Sequence, residues 1–218
     1  MQRFVPRFQG RPWVDGMRVL HVYVVPREQG DDELLALARA CAPLMADYPI
    51  DPQLPADQPG PGLLHMTLDM LADAPSTEYD AADRHALADA LQRALKHVWP
   101  FTTELGPPIA NRAGVVLDVW PDAEIEAVTD RVRAAIREVR GDAALRHQGG
   151  RPHMSLGYSH DTASSDPLNT ALRNDLASRR APLRVDRVHL LDVRWSLSPD
   201  TARWHMDWEP VAEIPLGG

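Results

Sequence analysis

One four-residue phrase occurs twice in this chain, as H-M-T-L at residues 65–68 and as H-M-S-L at residues 153–156. Each copy reads histidine, apolar, hydroxyl, apolar, which is typical of a half-buried β-strand whose side chains point to opposite faces in turn. The imidazole and the hydroxyl of each copy then share one face, about 6.5–7 Å apart along the strand. Two such strands predict a pocket with the groups needed to bind a phosphodiester and to move protons around it.

The paired imidazoles supply an acid and a base. An unperturbed histidine titrates near pH 6.5, and two imidazoles in one pocket push their pKa values apart because a double cation is unfavourable. We therefore predict that His65 and His153 are catalytic: one takes a proton from water or a ribose hydroxyl, and the other protonates the leaving oxygen. Thr67 and Ser155 are predicted to bind the non-bridging phosphate oxygens. This scheme requires no metal and no other cofactor.

Other interpretations of the two motifs remain open. A histidine taken alone is more often a structural residue, and it is the matched pair with matched flanks that favours function. Zinc is the second chemistry for paired histidines, but the residues near the motifs lack a helical His-x-x-x-His spacing and a clear third ligand. Cys41 is the only cysteine, so an intramolecular disulfide and a cysteine-based zinc site are excluded, and we expect it in a helical core.

The neighbours of the motifs are assigned to faces by strict alternation. Asp69 is predicted to extend the polar face of the first motif by one step, and Gly157 that of the second, where it either leaves room for substrate or marks a bend. Tyr158 falls in phase with the apolar residues of its strand and is expected in the core. Tyr23, in phase with His21 on an earlier strand, is the better candidate for the cleft.

Composition limits the class of protein and of partner. With 218 residues, 44% of them hydrophobic, the chain can form one compact domain or two small lobes that share a core. Its net charge of −8 makes it a poor candidate for binding long nucleic acid, although a locally basic cleft can still hold a short nucleotide. No apolar run is long enough to span a membrane, and the single cysteine fits a cytoplasmic protein.

The pattern of elements predicts two similar halves in which strands and helices alternate, which indicates an α/β or α+β domain with internal two-fold duplication. Residues 1–16 do not read as a secretory signal and are interpreted as an N-terminal extension, and residues 17–218 as a single domain. The segment 47–62, rich in Pro, Asp and Gln, is expected to be an irregular loop. Strands are predicted at residues 17–26, 63–71, 101–105, 114–120, 152–158, 183–195 and 203–209, helices at 31–45, 82–98, 121–141 and from 166 onward, and a strand or tail at 210–218.

The two motifs, with Pro152 before the second, resemble the paired H-x-[ST]-x motifs of the 2H phosphoesterase superfamily. R-P-H-M-S-L is especially similar to its 2′-5′ RNA ligase and cyclic phosphodiesterase branch, and M-R-V-L-H-V-Y-V-V-P resembles the first strand of that branch. The resemblance implies an α+β, pseudo-two-fold bilobal fold, with two antiparallel sheets flanked by helices and a central cleft. It also implies metal-independent attack on 2′,3′-cyclic or 2′-5′-linked phosphodiesters, with His65 and His153 catalytic and Thr67 and Ser155 binding phosphate.

The first hypothesis is therefore a phosphodiesterase that acts on a nucleotide or a short RNA end. The reverse reaction would make it an RNA ligase. The rivals are a nucleotide-binding module without turnover and a metal-dependent hydrolase. We expect a monomer. The N-terminal extension, the long loop before the first motif and the acidic balance depart from the family pattern and favour a small nucleotide over a tRNA-sized substrate.

Overall fold

The computed structural model describes residues 1–147 and 149–217, which form eleven β-strands, four α-helices and two 3-10 turns. The α-helices are α1 (Asp32–Met45), α2 (Ala81–Leu95), α3 (Ala123–Arg140) and α4 (Asp166–Asn174). The strands are β1 (Arg7–Phe8), β2 (Arg11–Pro12), β3 (Arg18–Val24), β4 (Ile50–Pro52), β5 (Met66–Met70), β6 (Phe101–Ala110), β7 (Gly114–Trp120), β8 (His153–Ser159), β9 (Ala181–Val185), β10 (Arg187–Leu197) and β11 (Trp204–Pro215). The 3-10 turns are Ser76–Glu78 and Asp142–Leu145.

Two antiparallel half-sheets form the two lobes. The first has the order β11-β10-β3-β5 and the second β8-β7-β6-β9, with β4 added on the free edge of β8. The halves meet where β5 pairs with β8 through Met66 and Met154, the apolar residues at the centres of the two motifs. Each motif strand thus lies at the inner edge of its own half-sheet. This arrangement confirms the predicted α+β, bilobal, pseudo-two-fold architecture.

Each lobe has a pair of helices. Helices α2 and α3 pack together, with contacts to β11 and β5 of the first lobe, whereas α1 and α4 contact each other and β9 and β6 of the second. The buried side chains of α3 recur at the three- and four-residue spacing of one helix face, so that face packs into the core. Helix α2 begins with a capping box in which Asp80 and Asp83 each accept a backbone N–H of the other.

A β-bulge interrupts the first motif strand directly after its hydroxyl residue. In the β3–β5 ladder Thr67 pairs with Tyr23 and Asp69 pairs with Val22, so Leu68 is the extra residue. Such a bulge shifts the alternation by one residue and reverses the face of everything that follows it. The placement of Asp69 on the polar face is therefore wrong.

Asp69 points away from the cleft and takes part in a buried ion pair. Its side chain is buried and accepts hydrogen bonds from Arg133 Nη1 of α3 and from the backbone N–H of Met70. Burial raises the pKa of Asp69 to about 6, although both donors favour its charged form. Asp69 thus connects β5 to α3.

The second motif strand carries a bulge at the matching position. Ser155 pairs with Val116 and Gly157 with the residue before it on β7, which leaves Leu156 extra. Gly157 is therefore out of phase with the motif's polar face, and the room that it leaves is for β4. A Cβ on Gly157 would lie 2.6 Å from Ile50 Cγ2 and 3.1 Å from the carbonyl oxygen of Asp51.

Other elements depart from the predicted pattern. The segment predicted as one strand at 183–195 is two strands that belong to different lobes, because the chain breaks at Asp186 and β9 pairs with β6 while β10 pairs with β3. The segment 47–62 contains the short strand β4 as well as loop. The strand predicted at 203–209 and the strand or tail predicted at 210–218 form one continuous strand, β11, which ends at Pro215, and Gly218 lies outside the described residues. In the part of the chain that the structure describes, no helix is long and apolar enough to cross a membrane.

Candidate active site

A cleft of about 1020 Å³ lies between the two lobes, and both motif strands line it. The four residues predicted from the motifs all line this one cavity: His65 and Thr67 from the first lobe, His153 and Ser155 from the second. The remaining walls come mainly from β7, from α3 and from the segment before β8. The structure therefore brings together all four predicted site residues.

Both motif histidines are held by the same hydrogen bond. His65 Nδ1 lies 2.8 Å from the carbonyl oxygen of Leu63, and His153 Nδ1 lies 2.8 Å from the carbonyl oxygen of Arg151. A carbonyl oxygen accepts only from an N–H, so Nδ1 carries the proton in each ring and Nε2 has the free lone pair when the ring is neutral. In each ring Nε2 is thus the nitrogen that could accept or donate a proton in a reaction.

The register of the two inner strands orders the four side chains. Because Met66 is opposite Met154 in an antiparallel pair, one step along each strand places His65 across from Ser155 and Thr67 across from His153. The two imidazoles then occupy one diagonal of a quadrilateral and the two hydroxyls the other. A phosphate at its centre would have an imidazole on two opposite sides and a hydroxyl on the other two.

The two histidines differ in burial, although their motifs match. His65 is 3% exposed and stacks on Tyr23, with 4.4 Å between ring centroids, whereas His153 is exposed. Burial lowers the pKa of His65 to about 4, and the nearby His153 lowers it further, against the hydrogen bond to Leu63 that favours the charged ring. In the free protein at neutral pH, His65 is therefore an uncharged imidazole.

This pKa can be measured directly. In the NMR spectrum of the ligand-free protein, the ring Hε1 resonance of His65, assigned by its loss in His65→Gln, is expected to keep the chemical shift of the neutral ring from pH 8 down to about 5.5. A resonance that titrates with a midpoint near the ordinary value of about 6.5 would contradict the burial argument.

Tyr158 is a cleft residue, and its assignment to the core is wrong. The bulge at Leu156 turns Tyr158 to the cleft, where its hydroxyl lies 3.4 Å from His65 Nε2. Burial raises the pKa of Tyr158 to about 12, against a hydrogen bond with Ser155, so the phenol keeps its proton. Strict alternation of side chains along β8 could not predict the face on which Tyr158 lies, because the bulge reverses it. Tyr23, the candidate from alternation, shares its face with Thr67 but is buried under His65.

The charges around the cleft are mixed. The residue before α3, Asp122, and two residues of the helix, Glu126 and Asp130, line it at four-residue intervals. Arg133 and Arg151 also line it, but Arg133 pairs with Asp69, and Nε of Arg151 lies 3.4 Å from Asp118 and 3.7 Å from Asp122. The acidic wall repels additional phosphates and so opposes binding of a long polyanion.

The alternative chemistries of the chain concern a metal ion and the single cysteine. Within residues 1–147 and 149–217, no three or more His, Cys, Asp or Glu side chains are grouped so that they could hold a metal ion. Cys41 lies buried on α1, as expected, and burial raises the pKa of its thiol to about 12. A thiol with that pKa is protonated at neutral pH and is therefore a poor nucleophile.

Comparison with known proteins identifies the family to which the chain belongs. TT0787 of Thermus thermophilus has a TM-score of 0.63 at 18% identity, over 92% of this chain and 98% of its own. E. coli LigT complexed with 3′-AMP has a TM-score of 0.57 at 15% identity, over 94% of this chain and 100% of its own. These identities show the fold alone, and no curated protein matches the sequence significantly. The family model described as the 2′-5′ RNA ligase superfamily matches residues 63–194, more than half of the chain, and the chain therefore belongs to this superfamily of 2H phosphoesterases.

Proposed function

We propose that this protein is a metal-independent phosphodiesterase that acts on 2′,3′-cyclic phosphates or 2′-5′-linked nucleotides, with His65 and His153 as its acid and base. One observation carries the proposal: two histidines from different lobes line the same cleft, and in each ring Nδ1 is bound to the carbonyl oxygen two residues before it, which leaves Nε2 for proton transfer. Membership of the 2′-5′ RNA ligase superfamily supports the same class of chemistry.

The reaction needs two proton transfers on opposite sides of the phosphorus. One histidine Nε2 takes a proton from water as the water oxygen bonds to phosphorus, and the other gives its proton to the ribose oxygen as the P–O bond breaks. The negative charge that grows on the non-bridging oxygens is stabilised by the hydroxyls of Thr67 and Ser155. With a ribose hydroxyl in place of water the same steps form a phosphodiester, which is the ligase direction.

The lowered pKa of His65 belongs to the free protein. A bound phosphate brings negative charge beside the ring, which favours the imidazolium and raises the pKa again. Either histidine can then carry the proton, and the direction in which the substrate lies decides which one starts as the base. At the end of one turnover the two rings have exchanged protonation states, and solvent restores them.

The ligand class is proposed from charge and from the solved relatives. E. coli LigT has been solved with 3′-AMP and with NADP+, both nucleotides. The acidic wall of α3 in the present chain suits a ligand with few phosphates. We therefore propose a mononucleotide or a short oligonucleotide end as substrate and a monomeric, cytoplasmic enzyme.

Incubation of the protein with the four 2′,3′-cyclic nucleoside monophosphates in EDTA tests the function. The expected result is hydrolysis that the chelator does not affect, and the position of the product phosphate shows which ribose oxygen leaves. Activity that EDTA removes and zinc restores would replace the proposal with a metal-dependent hydrolase. Measurable affinity for the product nucleotides without turnover would replace it with a binding module.

A further inference from the structure

The N-terminal segment, residues 1–16, covers the cleft-side face of the first lobe. Its two strands β1 and β2 form a hairpin, and its turn residues Gln9 and Gly10 have φ values of +51° and +76°. Phe8 and Trp13 pack with buried residues of β3, β10 and β11, among them Tyr23, the ring on which His65 stacks. The side-chain amide of Gln9 donates hydrogen bonds to the carbonyl oxygens of residues 72 and 73. The segment is thus part of the folded core.

The same segment ends the cleft with an aromatic side chain. The backbone N–H of Phe4 donates to the carbonyl oxygen of Ser159 at 2.7 Å, which fixes the segment against the end of β8. The Phe4 ring stacks on Tyr158 with 4.3 Å between centroids, lies 5.3 Å from the ring of Trp195, and lines the cleft. Tyr158 in turn reaches His65 with its hydroxyl. Tyr158 and Phe4 therefore form the wall of the cleft next to His65.

The corresponding face of the second lobe is open. Val116, Asp118 and Trp120 alternate outward on β7, and Ile109 of β6 pairs with Val116 on the same face. Ile109 is 40% exposed and Trp120 is 56% exposed, so this face is uncovered. Directly beside the second motif it carries Asp118, which pairs with His153 in the sheet and lies 3.4 Å from Arg151 Nε. The strands are arranged symmetrically about the two motifs. The N-terminal segment covers only the first lobe, so the surroundings of the two motifs differ.

A one-sided cleft selects among phosphodiesters by shape. A 2′-5′ bond inside an oligonucleotide has a nucleoside on each side of the phosphate and needs room in both directions. A 2′,3′-cyclic phosphate has a nucleoside on one side only and needs only water on the other. We propose that residues 1–16, through Phe4, make the cleft one-sided, so that the substrate is a terminal 2′,3′-cyclic phosphate rather than a 2′-5′ bond between two nucleosides. This inference rests on the proposed function and narrows its substrate class.

The test compares two adenine substrates, adenosine 2′,3′-cyclic phosphate and the 2′-5′-linked dinucleotide of adenosine. The full-length wild type is expected to prefer the cyclic phosphate in kcat/KM. Phe4→Ala removes the wall and is expected to reduce this preference about tenfold or more by raising the rate on the dinucleotide. Phe4→Leu, which keeps an apolar side chain on Tyr158, should shift the ratio in the same direction by a smaller factor. Val5→Ala, at the exposed position next to it, should leave the ratio unchanged.

Binding gives a second readout that does not depend on turnover. Calorimetric dissociation constants for 3′-AMP and for the same 2′-5′ dinucleotide, measured in the His153→Ala protein so that the dinucleotide is not cleaved, are expected to differ with Phe4 present and to converge when Phe4→Ala is added. Equal affinity for both ligands with Phe4 present, or an unchanged ratio in the Phe4 variants, would overturn the one-sided cleft. Failure of every variant to turn over either substrate would instead overturn the proposed function, while the ratio of dissociation constants still decides the role of Phe4.

Discussion

Replacing either His65 or His153 with alanine is expected to lower kcat for a 2′,3′-cyclic mononucleotide by about a thousandfold, since general acid–base catalysis contributes roughly 10²–10⁴ per group. The two imidazoles work on one phosphorus, so the double variant should be little slower than either single variant. Steady-state kinetics in EDTA, with product measured by chromatography, checks both expectations.

The controls separate lost chemistry from lost packing. His65 is buried against Tyr23, so its truncation leaves a cavity, and His65→Gln keeps most of the volume while removing the titrating ring. His205→Ala removes an exposed histidine from β11 and is expected to leave kcat unchanged. A loss of less than tenfold in a folded His153→Ala protein would show that the second motif does not transfer a proton in the reaction.

Much of the site was accessible from the sequence because a β-strand has a local period. The motifs placed His65 with Thr67 and His153 with Ser155 on shared faces, and the structure confirms both pairs in one cleft. The order of strands and helices, repeated in two halves, indicated a duplicated α/β or α+β domain, and the resemblance to the 2H phosphoesterases implied its bilobal form. These predictions succeed because they need only the alternation of side chains along a strand and the tendency of repeated motifs to occupy equivalent positions in a duplicated fold.

The errors share a physical cause, which is pairing between distant segments. A bulge belongs to a ladder, and neither Leu68 nor Leu156 differs in type from a regular strand residue, so alternation misplaced Asp69 and Tyr158. The division between β9 and β10 likewise depends on which strand of the sheet each segment finds. Hydrogen bonds between segments that are distant in the sequence decide where a bulge lies and which strands pair. The residue types along one segment carry little information about those bonds.

The motifs also could not predict that the two histidines differ in burial. His65 and His153 have the same flanking pattern, yet Tyr23 and Trp208 surround the first ring, with centroids 4.4 Å and 5.8 Å from it, while the second faces solvent. The N-terminal segment packs with this aromatic cluster. A segment without any catalytic motif thus helps to set the environment of a motif histidine, and sequence periodicity carries no information about that contact.

The second large effect is expected at the hydroxyls. Thr67→Val keeps the shape of the side chain and removes its donor, and it should lower kcat about a hundredfold with a smaller change in KM, because the hydrogen bond strengthens as charge builds on the phosphate oxygen. Ser155→Ala should have an effect of the same order, since the pseudo-two-fold symmetry gives it the matching position. The measurement is kcat and KM on a 2′,3′-cyclic mononucleotide.

Thr129→Val is the matched control for the threonine change. Thr129 also lines the cleft, but its hydroxyl donates to the carbonyl oxygen of Ile125 at 2.9 Å within α3, so it is already engaged with its own helix. The same substitution there should change kcat by no more than about twofold, which is much less than the loss expected when a single transition-state donor is removed.

If Thr67→Val raised KM and left kcat intact, the hydroxyl would hold substrate and transition state equally, and its role would be binding alone. If both threonine variants lost activity alike, the effect would come from the packing of the cleft wall. Only a loss in kcat confined to Thr67 and Ser155 ties the hydroxyls to the charge that develops on the phosphate.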